Sequence, residues 1–177
     1  TGFLFDNRHL YLRSLRVQAI MKVKAAAARF MREWFESHGF VEIFPPMFIT
    51  AACEGGATLF PVEYFGRKAY LTQSAQLYEE AAIGAFEKVY CIAPSFRAEK
   101  SRTRRHLTEF WHIEAEMAFA TFEDVLRVQE ELVAYTCEKL AEECAREFEI
   151  LGRAPPTPKA PFKRITYTEA LEIAREK

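Results

Sequence analysis

The sequence has 177 residues, of which 50% are hydrophobic and 14% aromatic, with 7 Gly and 8 Pro. This excludes a disordered chain, a collagen-like fibre and a low-complexity tail, because the apolar surface is ample to offset chain entropy, and the length suits one domain with a sizeable core. Lys+Arg 24 against Asp+Glu 25 leaves a net charge of -1, which argues against wholesale electrostatic coating of nucleic acid but allows a local basic patch.

No run reaches the roughly 20 consecutive apolar residues that span a bilayer. The start, Thr1 to Asp6, lacks a basic region followed by an apolar core, so no signal peptide is read. The chain begins without Met and stops at Lys177 on a helical pattern. Cys53, Cys91, Cys137 and Cys144 form no C-x-x-C pair and have no His at ligand spacing, so no zinc site is expected. Reduced thiols in a cytoplasmic protein are the simplest reading.

From about Ser14 to His38, Leu15, Ala19, Met21, Val23, Ala26, Ala27, Phe30, Met31, Trp34 and Phe35 recur at three- and four-residue steps, the pattern of an amphipathic helix. Gly39 supplies its left-handed cap. Phe40 to Phe44 reads as a short strand stopped by Pro45-Pro46, and 50–58 as a small-residue loop. Leu59 to Phe65 and Ala69 to Thr72 read as strands around a turn, Gln76 to Phe86 as a helix, and Val89 to Ala93 as a buried strand. In Phe110 to Phe119, Trp111, Ile113, Ala115, Met117 and Phe119 fall on one face, and His112, Glu114 and Glu116 on the other. The apolar face, with Trp111 and likewise Trp34, is expected to be core, and the two acids to be structural partners of nearby bases. Thr121 opens a helix that runs to Leu151-Gly152; its nine acids and three bases between Glu123 and Glu149 read as a solvated flank. Pro155, Pro156, Pro158 and Pro161 form an extended linker before a last helix from Ile165. Strands that follow one another without long helical crossovers predict α+β with a mainly antiparallel sheet.

The chemistry concentrates in Arg97 to His106, which holds five Lys or Arg and one Glu, about +4, between two apolar strands. Guanidinium groups offer forked donors that match phosphate oxygens. Arg97 and Glu99 lie two apart and would share one face of a strand, while Glu109-Phe110 opens the returning strand. Arginine, acid and aromatic ring around one cleft suit a nucleotide: Arg on phosphate, a ring on the base, an acid accepting from an exocyclic amine. No glycine-rich phosphate loop is present, so a P-loop or Rossmann site is not the route.

Phe96-Arg-Ala-Glu99, the loop and Arg105-His-Leu-Thr-Glu-Phe110 together resemble motif 2 of the class II aminoacyl-tRNA synthetases, specifically the aspartyl/asparaginyl branch. Gly39 to Pro46 after the long helix resembles motif 1, with Pro46 as its proline. Thr50 to Ala57 resembles the flexible loop that closes over the amino acid, and Leu71-Thr-Gln-Ser-Ala-Gln-Leu-Tyr78 the substrate signature between the motifs. Arg8-His9-Leu10 with Arg13 resembles the entry to the catalytic domain. The segments come in family order. The resemblance places motif 1 at about 14–48, the flexible loop at 50–58 and motif 2 at about 94–119. It makes residues 1–177 the N-terminal portion of a catalytic domain, without an anticodon-binding domain and ending before motif 3.

The resemblance implies a partial class II antiparallel sheet flanked by helices and a homodimer built through motif 1. It implies activation of an amino acid by ATP and Mg²⁺, then transfer to the tRNA acceptor end. Arg97 would be catalytic, on the α-phosphate and the amino-acid carboxylate. Glu99 would accept from the adenine amino group, Phe110 would stack on adenine, and Arg105 with His106 would steady the outer phosphates. Glu54, Ser74 and Gln76 would surround the substrate's α-ammonium group, and Lys100, Arg102, Thr103 and Arg104 would meet tRNA. No residue is assigned to a metal.

Aspartyl members carry a lysine three residues after the second glutamine of the signature, where this chain has Glu79. A glutamate there would repel an aspartate side chain, whereas an asparagine amide offers donors to a carboxylate. Asparaginyl members resemble this chain at Gln-Leu-Tyr-x-Glu, and Glu80 is the expected amide reader; Glu79 is expected to be a solvated helix carboxylate. Arg102 to His112 resembles the archaeal-type asparaginyl members, so asparagine is favoured over aspartate. Two other readings keep the fold: a paralogue that acts without tRNA, and a fragment that binds ATP or dimerises without turnover.

Overall fold

Helix-forming periodicity, not composition, decides the first long element of the computed structural model, which describes residues 2–51, 58–100, 103 and 106–176. Two short helices, α1 (Gly2–Asp6) and α2 (Arg8–Tyr11), precede α3 (Leu15–Ser37). Helix α3 ends one residue inside the predicted span at each end. Gly39, at φ +78°, turns the chain out of it where a side chain would be strained.

The chain divides into two compact units, 35–120 and 1–34 with 121–177. The first holds two three-stranded sheets. One is ordered β1 (Val41–Glu42), β5 (Lys88–Phe96), β6 (Glu109–Met117), with β1 parallel to β5 and β5 antiparallel to β6. The other is fully antiparallel, β2 (Phe48–Ile49), β4 (Arg67–Leu71), β3 (Pro61–Tyr64). The turn between β3 and β4 is Phe65-Gly66, both at positive φ, as a tight two-residue hairpin with right-handed strand twist demands. Helix α4 (Gln76–Phe86), at its predicted boundaries, joins β4 to β5. The architecture is α+β, antiparallel pairing flanked by helices, as expected, with one parallel pair added.

Phe35 anchors the core of this unit. Its ring stacks on Tyr90 at 4.4 Å between centroids and meets Phe40 edge-on at 5.1 Å; all three are buried. Phe96 N donates to Thr72 O at 2.9 Å and Thr72 N to Met47 O at 2.9 Å, so the ends of β4 and β5 lie side by side.

The burial of β6 reverses expectation. Opposed residues of an antiparallel pair share a face. The register therefore puts Ser95, Ala93, Cys91 and Val89 with Phe110, His112, Glu114 and Glu116. This is the half-buried face of β6, whereas Trp111 is 54% and Ile113 38% exposed. Apolar alternation identified the strand and its two faces correctly, but α4 packs on the acidic one.

In the second unit, α5 (Phe122–Glu143) starts at a capping box in which Thr121 and Asp124 satisfy each other's backbone N–H groups. The single helix expected to Leu151 is two, because Cys144 breaks regular geometry before α6 (Ala145–Leu151). Cys144 is itself buried with Phe30 and Leu140, as a small hydrophobe. The helix is not wholly a solvated flank either: Glu130 is buried and accepts from Arg164 Nε at 3.1 Å, and Arg164 also binds Glu123. The last helix, α7 (Tyr167–Arg175), follows the proline-rich stretch. No helix among the described residues is long and apolar enough to cross a membrane.

Candidate active site

Strand β5 ends at Phe96, so Arg97 and Glu99 lie past the strand on which they were expected. Pairing still continues one step, since Arg97 N donates to Thr108 O at 2.9 Å. That step aims the exposed Arg97 guanidinium at Phe110, 5.5 Å from the ring centroid, within cation–π range. Phe110 meets the His112 ring edge-on at 5.5 Å. His112 Nδ1 lies 3.3 Å from Ser95 Oγ and 3.4 Å from Glu114 Oε2. One face of β6 thus carries, at two-residue steps, an aromatic ring under an arginine, an imidazole and a carboxylate.

The substrate signature meets that face at Glu114. Ser74 Oγ donates to Glu114 Oε1, and Ala75 N donates to Oε2 at 2.8 Å. Ser74 Oγ in turn accepts from Gln76 N at 3.1 Å. Gln76 Nε2 donates to Glu80 Oε1 at 2.8 Å, one turn along α4, so two residues expected in the amino-acid pocket are a hydrogen-bonded pair. A shallow cleft of about 120 Å³ opens beside them, lined by Ile49, Thr50, Ala51, Ser74, Leu77 and Tyr78.

Glu79 departs from its expected role. It is 1% exposed, not solvated. Burial pushes its carboxyl up to about 8, with Glu114 and then Glu116 adding repulsion and a hydrogen bond with the Cys91 thiol opposing. Burial first, then Glu79, also raises the Cys91 thiol. Glu116 is raised as well, by burial and then by Glu80 and Glu114. Glu114 and Glu116 were expected to partner bases. Glu114 does approach His112, but its strongest partners are a hydroxyl and a backbone N–H, and Glu116 faces other acids. The missed signal lay in α4: Ala75, Glu79 and Ile83 stand at i, i+4 and i+8, so Glu79 occupies the helix's inward stripe.

The remaining expected residues are spread along the loop. Glu99, Lys100, Thr103 and His106 are exposed, and Thr103 Oγ1 hydrogen-bonds His106 Nδ1. Pro46 is exposed between β1 and β2. Glu54, Arg102, Arg104 and Arg105 lie outside the described residues. The structure therefore brings Arg97 to Phe110, and Ser74 to the same strand face through Glu114; among the described residues Glu99 and His106 make no hydrogen bond or ring contact with that cluster.

An antiparallel strand pair carrying an arginine over an aromatic ring, with a helix N-terminus clamped to the same face, agrees with the motif 2 resemblance. The family described as tRNA synthetases class II (D, K and N) matches residues 2–176, and the chain belongs to it. An asparagine–tRNA ligase of Thermococcus kodakarensis is 52% identical over 99% of this chain. The chain spans 42% of that relative's length. The solved asparaginyl-tRNA synthetase of Pyrococcus horikoshii, complexed with asparaginyl-adenylate, is 50% identical with a TM-score of 0.93 over 99% of this chain and 41% of its own. A putative aspartyl-tRNA synthetase of Leishmania major has 31% identity and a TM-score of 0.77 over 97% of this chain and 33% of its own.

Proposed function

We propose that these residues form the motif 1 and motif 2 portion of an asparagine–tRNA ligase, which activates asparagine with ATP and transfers it to tRNA(Asn). The observation that supports this most is the strip Arg97–Phe110–His112–Glu114–Ser74, in a chain half identical to the relative whose structure holds asparaginyl-adenylate. Attack of the asparagine carboxylate on the α-phosphorus brings two anions together and expels pyrophosphate. Arg97 offsets that repulsion and stabilises the developing charge, while Phe110 and Glu99 hold the adenine. Arg105 and His106 steady the outer phosphates. Glu54, Ser74 and Gln76 surround the α-ammonium group, and Glu80 accepts from the side-chain amide. Lys100, Arg102, Thr103 and Arg104 meet the tRNA acceptor end. A tRNA hydroxyl then attacks the adenylate carbonyl and releases AMP.

Magnesium is proposed as the companion of the triphosphate, neutralising its charge. Among the described residues no cluster of three His, Cys, Asp or Glu is placed to hold an ion, so no side chain is assigned to it. A homodimer through motif 1, including Pro46, is proposed for the assembly. A cytoplasmic setting is proposed with it, supported by Cys91, Cys137 and Cys144 being free thiols.

The test is ATP–pyrophosphate exchange with these 177 residues carried in place of the matching stretch of the Thermococcus kodakarensis relative. Exchange driven by asparagine is expected; exchange driven mainly by aspartate sinks the assignment.

A further inference from the structure

Helix α4 starts without a cap of its own: Ala75 is the N-cap residue and has no side chain to offer. The missing acceptor comes from another element. Glu114, on β6, accepts from Ala75 N through one oxygen and from Ser74 Oγ through the other. Carboxylates suit this place, since the first turn of a helix presents free N–H groups and partial positive charge. Charge-assisted bonds to both oxygens fix the carboxylate and whatever it holds.

Behind Glu114 sits a group that no role yet absorbs. Glu79 is 99% buried by its 1% exposure, and its Oε1 has no hydrogen-bond partner among the described residues. Facing it are Cys91 from β5 and Glu114 and Glu116 from β6. Glu42 bears on Cys91, Glu80 bears on Glu116, and His112 Nδ1 lies 3.4 Å from Glu114 Oε2, the oxygen that accepts from Ala75. The groups acting on Glu79 are two acids and a thiol.

We propose that Glu114 is a positioning residue for the amino-acid end of the site, fixing Ser74 and the first turn of α4, and that the buried Glu79 carboxyl behind it governs whether it stays there. The inference rests on the proposed asparagine pocket only for its effect on substrate; the positioning itself is a property of this chain. With Glu79 protonated, its carboxyl adds no charge against the Glu114 side chain that holds Ser74 and Ala75. With Glu79 ionised, two carboxylates face each other in a dry site, and the one nearer solvent is driven off its donors. Ser74 then loses the bond that orients its hydroxyl. No covalent step is involved.

The experiment follows the Ala75 and Gln76 backbone amides of the 177-residue chain by ¹⁵N NMR between pH 6 and 9.5. In the unaltered chain the Ala75 amide should move upfield and exchange faster as pH rises through about 8. Glu79→Gln should abolish that alkaline movement, and Glu114→Gln should displace Ala75 at every pH. Because Glu114→Gln removes a buried anchor, Glu79→Gln, which keeps the shape, decides the matter if the first variant does not fold. In the Thermococcus chimera, Glu114→Gln should raise the KM for asparagine about 10- to 100-fold, the loss of one charged hydrogen bond, with the KM for ATP little changed. An Ala75 amide indifferent to Glu114→Gln, or the same alkaline movement with and without Glu79, overturns the proposal. If the chimera shows no exchange with asparagine, the functional reading fails while the amide titration still decides the positioning.

Discussion

Replacing Glu79 by Gln should make the protein more stable, by an amount that grows with pH. The folded chain holds the Glu79 proton up to about 8, against an ordinary value of 4.5, because burial and then Glu114 penalise the anion. Between those two values the folded state binds a proton that the unfolded chain has released, so stability falls as pH rises. The stability is fully present below about 4.5 and is lost progressively up to about 8, above which no more is lost. At about 1.4 kcal/mol per pH unit, the cost is about 3 kcal/mol at pH 7 and about 4 kcal/mol at pH 8, where the folded group is half ionised. Glutamine has nearly the same shape and no proton to lose, so it escapes this cost. Urea denaturation of both forms at pH 5, 6, 7 and 8, with equal m-values, measures it. Titrations common to both forms cancel in the difference. The Gln form should gain on the Glu form by about 1 kcal/mol for each pH unit across this range. Parallel stability curves would refute the reasoning, because they would mean that Glu79 is ionised, and therefore hydrated or paired, in the folded chain.

Other outcomes follow from the same packing and charges. Phe35→Ala should cost about 3–5 kcal/mol in chemical denaturation, since it removes a buried ring stacked on Tyr90, while Phe35→Leu should cost well under half of that. In the chimera, Arg97→Ala should lower asparagine-dependent exchange by about 10² to 10³, and Arg97→Lys should restore only part of it, because an ammonium lacks the guanidinium fork. Neutralising Lys100 should weaken tRNA binding and reduce the slope of log affinity against log salt by roughly one, without altering asparagine activation.

Where sequence and structure agree, a strong local signal and the tertiary environment point the same way. The apolar stripe of α3 ends at a glycine that must adopt positive φ, and both features are written in adjacent residues. Helix α4 is legible for similar reasons, as is the Arg97–Phe110 pairing, because the resemblance and the strand pattern both set that hairpin. Strand β2 was not legible: two residues, Phe48 and Ile49, have no periodicity, and β4 alone makes them a strand. The break at Cys144 carries no Gly or Pro to announce it. Trp111 and Glu79 failed for a deeper reason. Alternation on β6 and the stripe on α4 tell which residues share a face, but not which face is covered. In this chain α4 covers the face with the acids, so a tryptophan is open and a glutamate is sealed. Usual burial preferences are reversed beside the groups proposed to meet substrate, and that is where a site departs from the rules that make a core.

Selection of asparagine is the specificity proposed for this site. It is tested most directly by charging tRNA with the Thermococcus chimera in the presence of equal asparagine and aspartate and identifying the amino acid esterified to the tRNA. Asparaginyl-tRNA is the expected dominant product, lost on Arg97→Ala. Aspartyl-tRNA as the dominant product would contradict it.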